Sequence, residues 1–212
     1  MARIYDISRT VSPSLTVWPG DPPVEFEEAA RMARGDSVNV TQLKLGTHSG
    51  THIDAPWHFD EGGARTAELP PEVFVGPARV ITVERRSGAI TPADLGVEDL
   101  GGVERVLLRT WVSDMPDDEW PEDYAYPSVD LADWLPRRGV RLLGVDLPTV
   151  DDPDGESLPA HHRLNEHGIA ILERVNLSGV PDGVYELIAL PLKLAGLDGS
   201  PVRAVLREMA EE

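Results

Sequence analysis

The sequence predicts an α/β fold, in which helices and strands alternate along the chain. The clearest alternation lies in the second half, where an amphipathic helix over 128–135 is followed by an apolar strand at 140–145. A second short helix over 157–168 is followed by another apolar strand at 169–172. The chain has 212 residues and carries no internal repeat or long linker, so we expect one domain over 1–212.

The composition excludes several classes of protein. The chain contains no cysteine, so disulfides and cysteine nucleophiles are excluded, and any metal must be held by nitrogen and oxygen. Its formal net charge of -18 disfavours binding to nucleic acid, because phosphate contacts need a basic surface. No apolar run approaches the length of a membrane span, and the first residues lack the apolar core of a signal peptide. We therefore expect no membrane segment and a cytoplasmic location.

The N-terminal residues predict a short strand at 4–7 and then an irregular loop at 8–23. The loop contains four prolines and one glycine, and the prolines stiffen it, which leaves a side chain held there little entropy to lose. Trp18 is the large aromatic residue of the loop. It either covers a sheet as a core residue or forms an aromatic wall of a substrate pocket.

Residues 48–59 concentrate the side chains that bind metals. These twelve residues hold three of the six histidines and one aspartate, namely His48, His52, His58 and Asp54. Imidazole suits zinc, iron or nickel, carboxylate adds affinity for manganese or magnesium, and an aspartate can bridge two ions. A lone histidine is more often a surface or hydrogen-bonding residue, but four such residues in one short segment favour a metal site.

β-Branched residues around this segment favour a strand over a helix. On a strand, His48, His52 and Asp54 project to one face. A fully extended strand would separate the backbones of His48 and His52 by about 13 Å, whereas imidazole approaches a metal to about 2.1 Å. We therefore expect the strand to bend at Gly50, where a kink costs least.

The middle of the chain predicts a turn-rich loop, two strands and a helix start. After the turn at 60–64, alternation predicts a strand at 78–83, and a cap, a proline and an acid predict a helix start at 91–95. The run at 103–109 is apolar enough for a strand covered on both faces. We expect the acidic, proline-containing segment 113–127 to be a mobile loop.

Capping residues delimit the first long helix, with Ser128 as its N-cap and Gly139 as its stop. Near the C-terminus we expect strands at 184–191, 192–197 and 202–207. An Asp198-Gly199 turn would join the last two strands.

The second predicted helix carries His161, His162 and His167. Adjacent helical side chains diverge by about 100°, so at most one of His161 and His162 can face a central metal. Glu173 ends an otherwise apolar strand, and its carboxylate lies either at the sheet edge or in a site.

The pattern H-x-G-T-H-x-D-x-P-x-H-F at 48–59 resembles the signature of the cyclase family of metal-dependent hydrolases, which includes the bacterial kynurenine formamidases. The W-P-G-D segment at 18–21, the G-V-D-L-P-T-V-D segment at 144–151, A-H-H at 160–162 and I-A-I-L-E at 169–173 are also similar to that family. The resemblance covers nearly the whole chain. It implies the family's swivelling β/β/α domain and a homodimer.

The resemblance also implies a centre of two divalent metal ions, with zinc as the expected metal. The implied ligands are His48, His52, Asp54, His161 and Glu173. His162 is then a helix-surface residue, and the macrodipole favours a charged His167 at the end of the helix. His58 lies beyond the ligand run and is expected to act as general acid and base, and Trp18 is expected to contact the substrate.

The implied reaction is hydrolysis of N-formyl-L-kynurenine to L-kynurenine and formate, a step of tryptophan degradation. Two alternatives use the same residues, namely an amide or lactam hydrolase such as isatin hydrolase and a ring-forming cyclase. A metal-storage or sensing module would not need His58 or Trp18. A serine hydrolase is disfavoured because the chain has no G-x-S-x-G segment.

Overall fold

The fold was determined as a computed structural model that describes residues 2–155 and 157–209. Short 3₁₀ turns connect many of its elements. The strands and α-helices in chain order are β1 Ile4–Asp6, β2 Glu25–Ala30, β3 Val40–Lys44, β4 His52–Asp54, β5 Val75–Thr82, β6 Gly88–Ile90, β7 Arg105–Arg109, β8 Ala125–Pro127, α1 Val129–Trp134, β9 Leu142–Val145, α2 Pro159–Glu166, β10 Ala170–Glu173, β11 Gly183–Ile188, β12 Gly199–Pro201 and β13 Val205–Glu208.

A mixed sheet of nine strands organises the chain, in the order β1-β13-β11-β5-β7-β9-β10-β4-β12. Its centre, β5-β7-β9-β10, is parallel, and the strands on both sides pair antiparallel. Two small sheets, β2-β3 and β6-β8, stand apart from it. This arrangement confirms the predicted α/β class.

The apolar side chains of the sheet alternate between two cores, one on each face. In β7, Val106 and Leu108 belong to the core that also contains Leu131 of α1 and Leu164 of α2. Leu107 points to the opposite core. The expectation of a strand covered on both faces at 103–109 is therefore confirmed. None of the helices in the described part of the chain has the length and apolar character of a membrane span.

The signals for the first helix are confirmed by its ends. The Ser128 hydroxyl accepts a hydrogen bond from the backbone N–H of Leu131 at 3.0 Å, as an N-cap does. Gly139 closes the following 3₁₀ turn with a φ of 77°, a left-handed conformation that glycine adopts without steric cost.

The prediction of a strand at 192–197 was wrong. Residues 192–197 do not form a strand, because their carbonyl groups bind elsewhere: Leu194 and Leu197 accept hydrogen bonds from the backbone N–H groups of Ala67 and Thr66. The segment 113–127 is a loop over most of its length, but it ends in β8 and buries Tyr124 in the core.

Candidate metal centre

Pairing of β4 with β10 brings together residues from distant parts of the chain. In this antiparallel pair, His52 lies opposite Glu173, and Asp54 lies opposite Ile171. Helix α2 contributes His161 from above the same strands. Because β4 starts only at His52, His48 lies in the preceding loop, and Gly50 has a φ of 67°. The expected bend at Gly50 is confirmed, and it brings the side chain of His48 next to that of Asp54.

Asp54 lies at the centre of the cluster. Its Oδ1 is 2.9 Å from Nδ1 of His48 and 3.3 Å from Nε2 of His52. Its Oδ2 is 3.3 Å from Nε2 of His161. Glu173 places Oε2 at 3.4 Å from Nε2 of His52 and Oε1 at 3.5 Å from Nε2 of His161. The structure thus brings all five predicted ligands into one cluster.

The second nitrogen of each imidazole has its own partner, which orients the ring. Nδ1 of His52 is 2.8 Å from the carbonyl oxygen of Gly50. Nδ1 of His161 is 2.6 Å from the Asp151 carboxylate. Nε2 of His48 is 3.2 Å from the Asp198 carboxylate. Partners of this kind are typical of metal-binding histidines, because they fix the tautomer and the ring orientation.

Asp151 has a further role at the start of α2. Its two carboxylate oxygens accept the backbone N–H groups of Ala160 at 2.7 Å and of His161 at 3.0 Å. The residue at the N-cap position, Leu158, has no side chain that could do this. Asp151 therefore satisfies the helix end and orients His161 at the same time.

The buried charges of the cluster shift one another's pKa values. Burial opposes the imidazolium form of His52, but hydrogen bonds to Asp54 and Glu173 outweigh it and raise its pKa to about 10. His161 has a pKa raised to about 10, because Asp151 and Asp54 outweigh the same burial. The pKa of Asp54 lies well below its usual value, since three histidines outweigh its burial. Burial and the charge of Asp54 raise the pKa of Glu173.

These residues fit divalent metal ions. Two sets of three ligand atoms lie within 4.8 Å of one another, one from His48, His52 and Asp54 and one from Asp54, His161 and Glu173. Oδ2 of Asp54 is buried and has no hydrogen-bond partner among the described residues. A buried carboxylate oxygen without a hydrogen bond is costly, and a bound cation would satisfy it. The donors are nitrogen and oxygen, which suits zinc, manganese or iron.

His58 lies at the edge of the cluster, in a 3₁₀ turn directly after β4. Its ring is 4.0 Å from that of His48 between centroids, and its Nδ1 is 3.8 Å from the Asp198 carboxylate. About a third of its side chain is exposed (36%), unlike the nearly fully buried His52. Partial burial, with the neighbouring imidazoles of His48 and His161, lowers the pKa of His58. A further set of ligand atoms within 4.8 Å consists of His48, His58 and Asp198.

The remaining histidines lie outside the cluster. His162 is exposed on α2, and its ring centroid is 5.8 Å from that of Phe59. Nε2 of His167 lies within hydrogen-bond distance of the Asp133 carboxylate, at 2.8 Å.

A pocket of about 240 Å³ opens onto the metal-ligand cluster. Its lining includes Trp18, whose ring meets that of Trp120 edge to face at a centroid distance of 5.8 Å. The guanidinium of Arg174 lies 5.0 Å from the ring centroid of Trp120. Burial, together with the charge of Arg9, lowers the pKa of Arg174 to about 10.

Sequence reasoning missed Asp151, Asp198, Trp120 and Arg174. Asp151 lies within the 144–151 segment that carried the family resemblance, and it could have been suggested as the partner of a ligand histidine. The sequence at Asp198 indicated only a turn, and Trp120 lies in a segment expected to be a loop. Their place beside the pocket depends on tertiary contacts.

The mixed sheet and its helices define an α/β protein. Below an aromatic pocket, this protein holds a buried cluster of histidine and carboxylate side chains that fits metal ions. A family model described as "Putative cyclase" matches residues 5–152, and the chain therefore belongs to the cyclase family. The family resemblance is confirmed.

Several curated relatives match the chain over nearly its whole length. The kynurenine formamidase of Salinibacter ruber is 48% identical over 206 residues, which cover 97% of both chains. That of Maricaulis maris is 44% identical over 209 residues, covering 99% of this chain and 100% of the relative. That of Bacillus cereus is 48% identical over 202 residues, covering 95% of this chain and 96% of the relative.

Solved structures share the fold. One, described as a "Potential Metal-Dependent Hydrolase With Cyclase Activity", has a TM-score of 0.84 and 27% identity, with 100% of both chains covered. Isatin hydrolase A from Labrenzia aggregata has a TM-score of 0.84 and 26% identity, covering 98% of this chain and 94% of that one. The predicted fold class is confirmed.

Proposed function

We infer that this protein is an arylformamidase that hydrolyses N-formyl-L-kynurenine to L-kynurenine and formate. The observation that carries the inference is the identity of 44% to 48% with kynurenine formamidases over nearly the full length of both chains. Isatin hydrolase is the second candidate. Isatin hydrolase A shares the scaffold at 26% identity, and its TM-score of 0.84 equals that of the metal-dependent hydrolase structure.

We propose that two divalent ions bind in the cluster, with zinc as the expected metal. His48, His52 and Asp54 would hold one ion, and Asp54, His161 and Glu173 the other. The two sets share Asp54. One of its carboxylate oxygens faces His48 and the other faces His161, and this supports its role as a bridge between the ions. The partners of the second ring nitrogens support the same assignment, because they leave one nitrogen of each imidazole to face the cluster.

The metal ions supply Lewis acidity, which activates water and polarises a carbonyl group. The chain's own contribution is proton transfer and orientation. Hydrolysis breaks the C–N bond of the formamide, and the leaving arylamine nitrogen must gain a proton. The lowered pKa of His58 leaves it neutral at pH 7, so it can accept a proton from water and then donate it to that nitrogen.

Trp18 and Trp120 are proposed to hold the aryl ring of the substrate. Both line the pocket, and their edge-to-face contact gives a rigid aromatic wall. Trp18 lies in the loop 8–23, where Asp21 donates its N–H to the carbonyl of Trp18 at 2.9 Å. This turn limits the freedom of the Trp18 backbone.

We also propose a homodimer, with contacts made by the β2-β3 hairpin. A two-stranded hairpin is only marginally stable alone in water. Its strands and the connection between them expose the large side chains Phe26, Met32, Val38, Val40 and Leu43. A second copy of the chain would cover these residues.

One domain over 1–212 and a cytoplasmic location remain predictions. The pairing of β1 with β13 in the central sheet supports the first of them.

The test of function is a comparison of kcat/KM for N-formyl-L-kynurenine and isatin on purified, metal-loaded protein. Formylkynurenine should be preferred by a wide margin, with formate and kynurenine released in equal amounts. A preference for isatin would refute the formamidase assignment and leave a metal-dependent amide hydrolase.

Size-exclusion chromatography with light scattering tests the dimer. The double variant Phe26→Asp with Leu43→Asp should be monomeric.

A further inference from the structure

Arg174 adopts a backbone conformation that arginine rarely takes. Among the described residues, the non-glycine residues with positive φ are Leu158, at 46°, and Arg174, at 55°. Both line the pocket above the ligand cluster. The backbone of a non-glycine residue in this left-handed region is strained, and such strain occurs preferentially at functional sites. The strained turn follows Glu173 directly at the end of β10.

Arg174 is also a buried cation that pairs with no carboxylate among the described residues. Its side chain is almost fully enclosed, and among the described residues that line the pocket it is the one with a permanent positive charge. Asp117 lies in the same region but forms its ion pair with Arg9 at 3.2 Å. No ion pair joins Arg174 to an acid in the part of the chain that the structure describes.

Part of the guanidinium remains available for a ligand. Its Nη1 donates a hydrogen bond to the carbonyl of Thr16, and Nη2 donates to the Thr16 hydroxyl at 3.1 Å. A guanidinium has five N–H donors, so these two bonds do not exhaust it. Its fork geometry matches a carboxylate, which can accept two parallel N–H bonds.

The substrate class of the proposed function carries a group that this cation would bind. An N-formylkynurenine has a formamide at one end and an α-amino acid tail with a carboxylate at the other. The chain has a net charge of -18, so an anionic tail needs a local cation in the pocket. Arg174 lies against Trp120, which belongs to the wall proposed for the ring.

We propose that Arg174 binds the α-carboxylate of the substrate and selects amino-acid formamides over simple formanilides. The proposal rests on the proposed function. Arg174 would then be the specificity residue of the pocket, while the metal ligands and His58 act on the formamide. The competing role is structural, because the bonds to Thr16 also hold the loop that carries Trp18.

The two roles differ in their dependence on the substrate's tail. Asparagine and glycine both suit a left-handed backbone, so Arg174→Asn and Arg174→Gly remove the guanidinium without adding backbone strain. Each is compared with wild type on N-formyl-L-kynurenine and on N-(2-acetylphenyl)formamide, which keeps the aryl ketone and the formamide but lacks the amino-acid tail. Arg137→Asn, which removes an exposed arginine far along the chain, is the charge control.

With N-formyl-L-kynurenine, both variants should lose about 10- to 100-fold in kcat/KM, mainly through KM, as expected for a lost charge-assisted bond. With the tailless formamide, their kcat/KM should match wild type. Equal losses on both substrates would show that Arg174 only holds the loop, and no loss on either would show that it has no role. Either result overturns the proposal while the formamidase function stands. Wild type that hydrolyses neither formamide would refute the function and this proposal together.

Discussion

Asp151→Asn tests whether the residue behind His161 supports the metal site. The carboxylate accepts three hydrogen bonds, from the backbone N–H groups of Ala160 and His161 and from the His161 ring at 2.6 Å. An asparagine amide keeps one acceptor oxygen but presents an N–H₂ group in place of the other. At least one buried donor then loses its partner, which costs about 1 to 3 kcal/mol. For a chain of this size, that lowers the Tm by about 2 to 12 °C.

The effect on metal binding is separate from the effect on folding. Loss of the partner of a ligand histidine typically lowers metal affinity by about 10- to 100-fold. Competition with a chromophoric chelator measures this affinity, and thermal unfolding of metal-free protein measures the stability. Asp123→Asn, which changes an exposed acid, is the control and should alter neither quantity. A variant with a lower Tm but wild-type metal affinity would show that Asp151 only caps α2 and would refute the argument.

Three further predictions concern the metals, His58 and Trp18. Dialysis against a strong chelator should remove two ions per chain and abolish turnover, and full activity in metal-free protein would contradict the mechanism. His58→Ala should lower kcat by about 10²- to 10⁴-fold with unchanged metal content. The lowered pKa of His58 makes its base form dominant above pH 6.5, so kcat/KM of wild type should rise with pH through a value below 6.5, and this limb should vanish in the variant. Trp18→Ala should raise KM by about 10- to 100-fold, as stacking worth about 1 to 3 kcal/mol implies. An unchanged KM would remove Trp18 from the pocket wall.

Local sequence was sufficient wherever neighbouring residues decide the structure. Ser128 and Gly139 mark the ends of their helical segment because capping depends on one side chain and one backbone conformation. The bend at Gly50 followed from a distance argument between His48 and His52. The strand predicted at 192–197 failed because two of its carbonyl groups accept hydrogen bonds from the backbone at Thr66 and Ala67 and not from a neighbouring strand.

The types and spacing of the ligands in 48–59, and the α/β class, were determined by the sequence alone, because histidine and carboxylate chemistry and strand periodicity are local properties. Only the tertiary structure decided which distant groups complete the site. Register between β4 and β10 places Glu173 beside His52, and Asp198 reaches His48 across 150 positions of the chain. Arg174 became visible through its φ angle and its burial, which depend on how the strand end packs against the loop at Thr16. Such contacts join residues that are remote in sequence, so no local pattern encodes them.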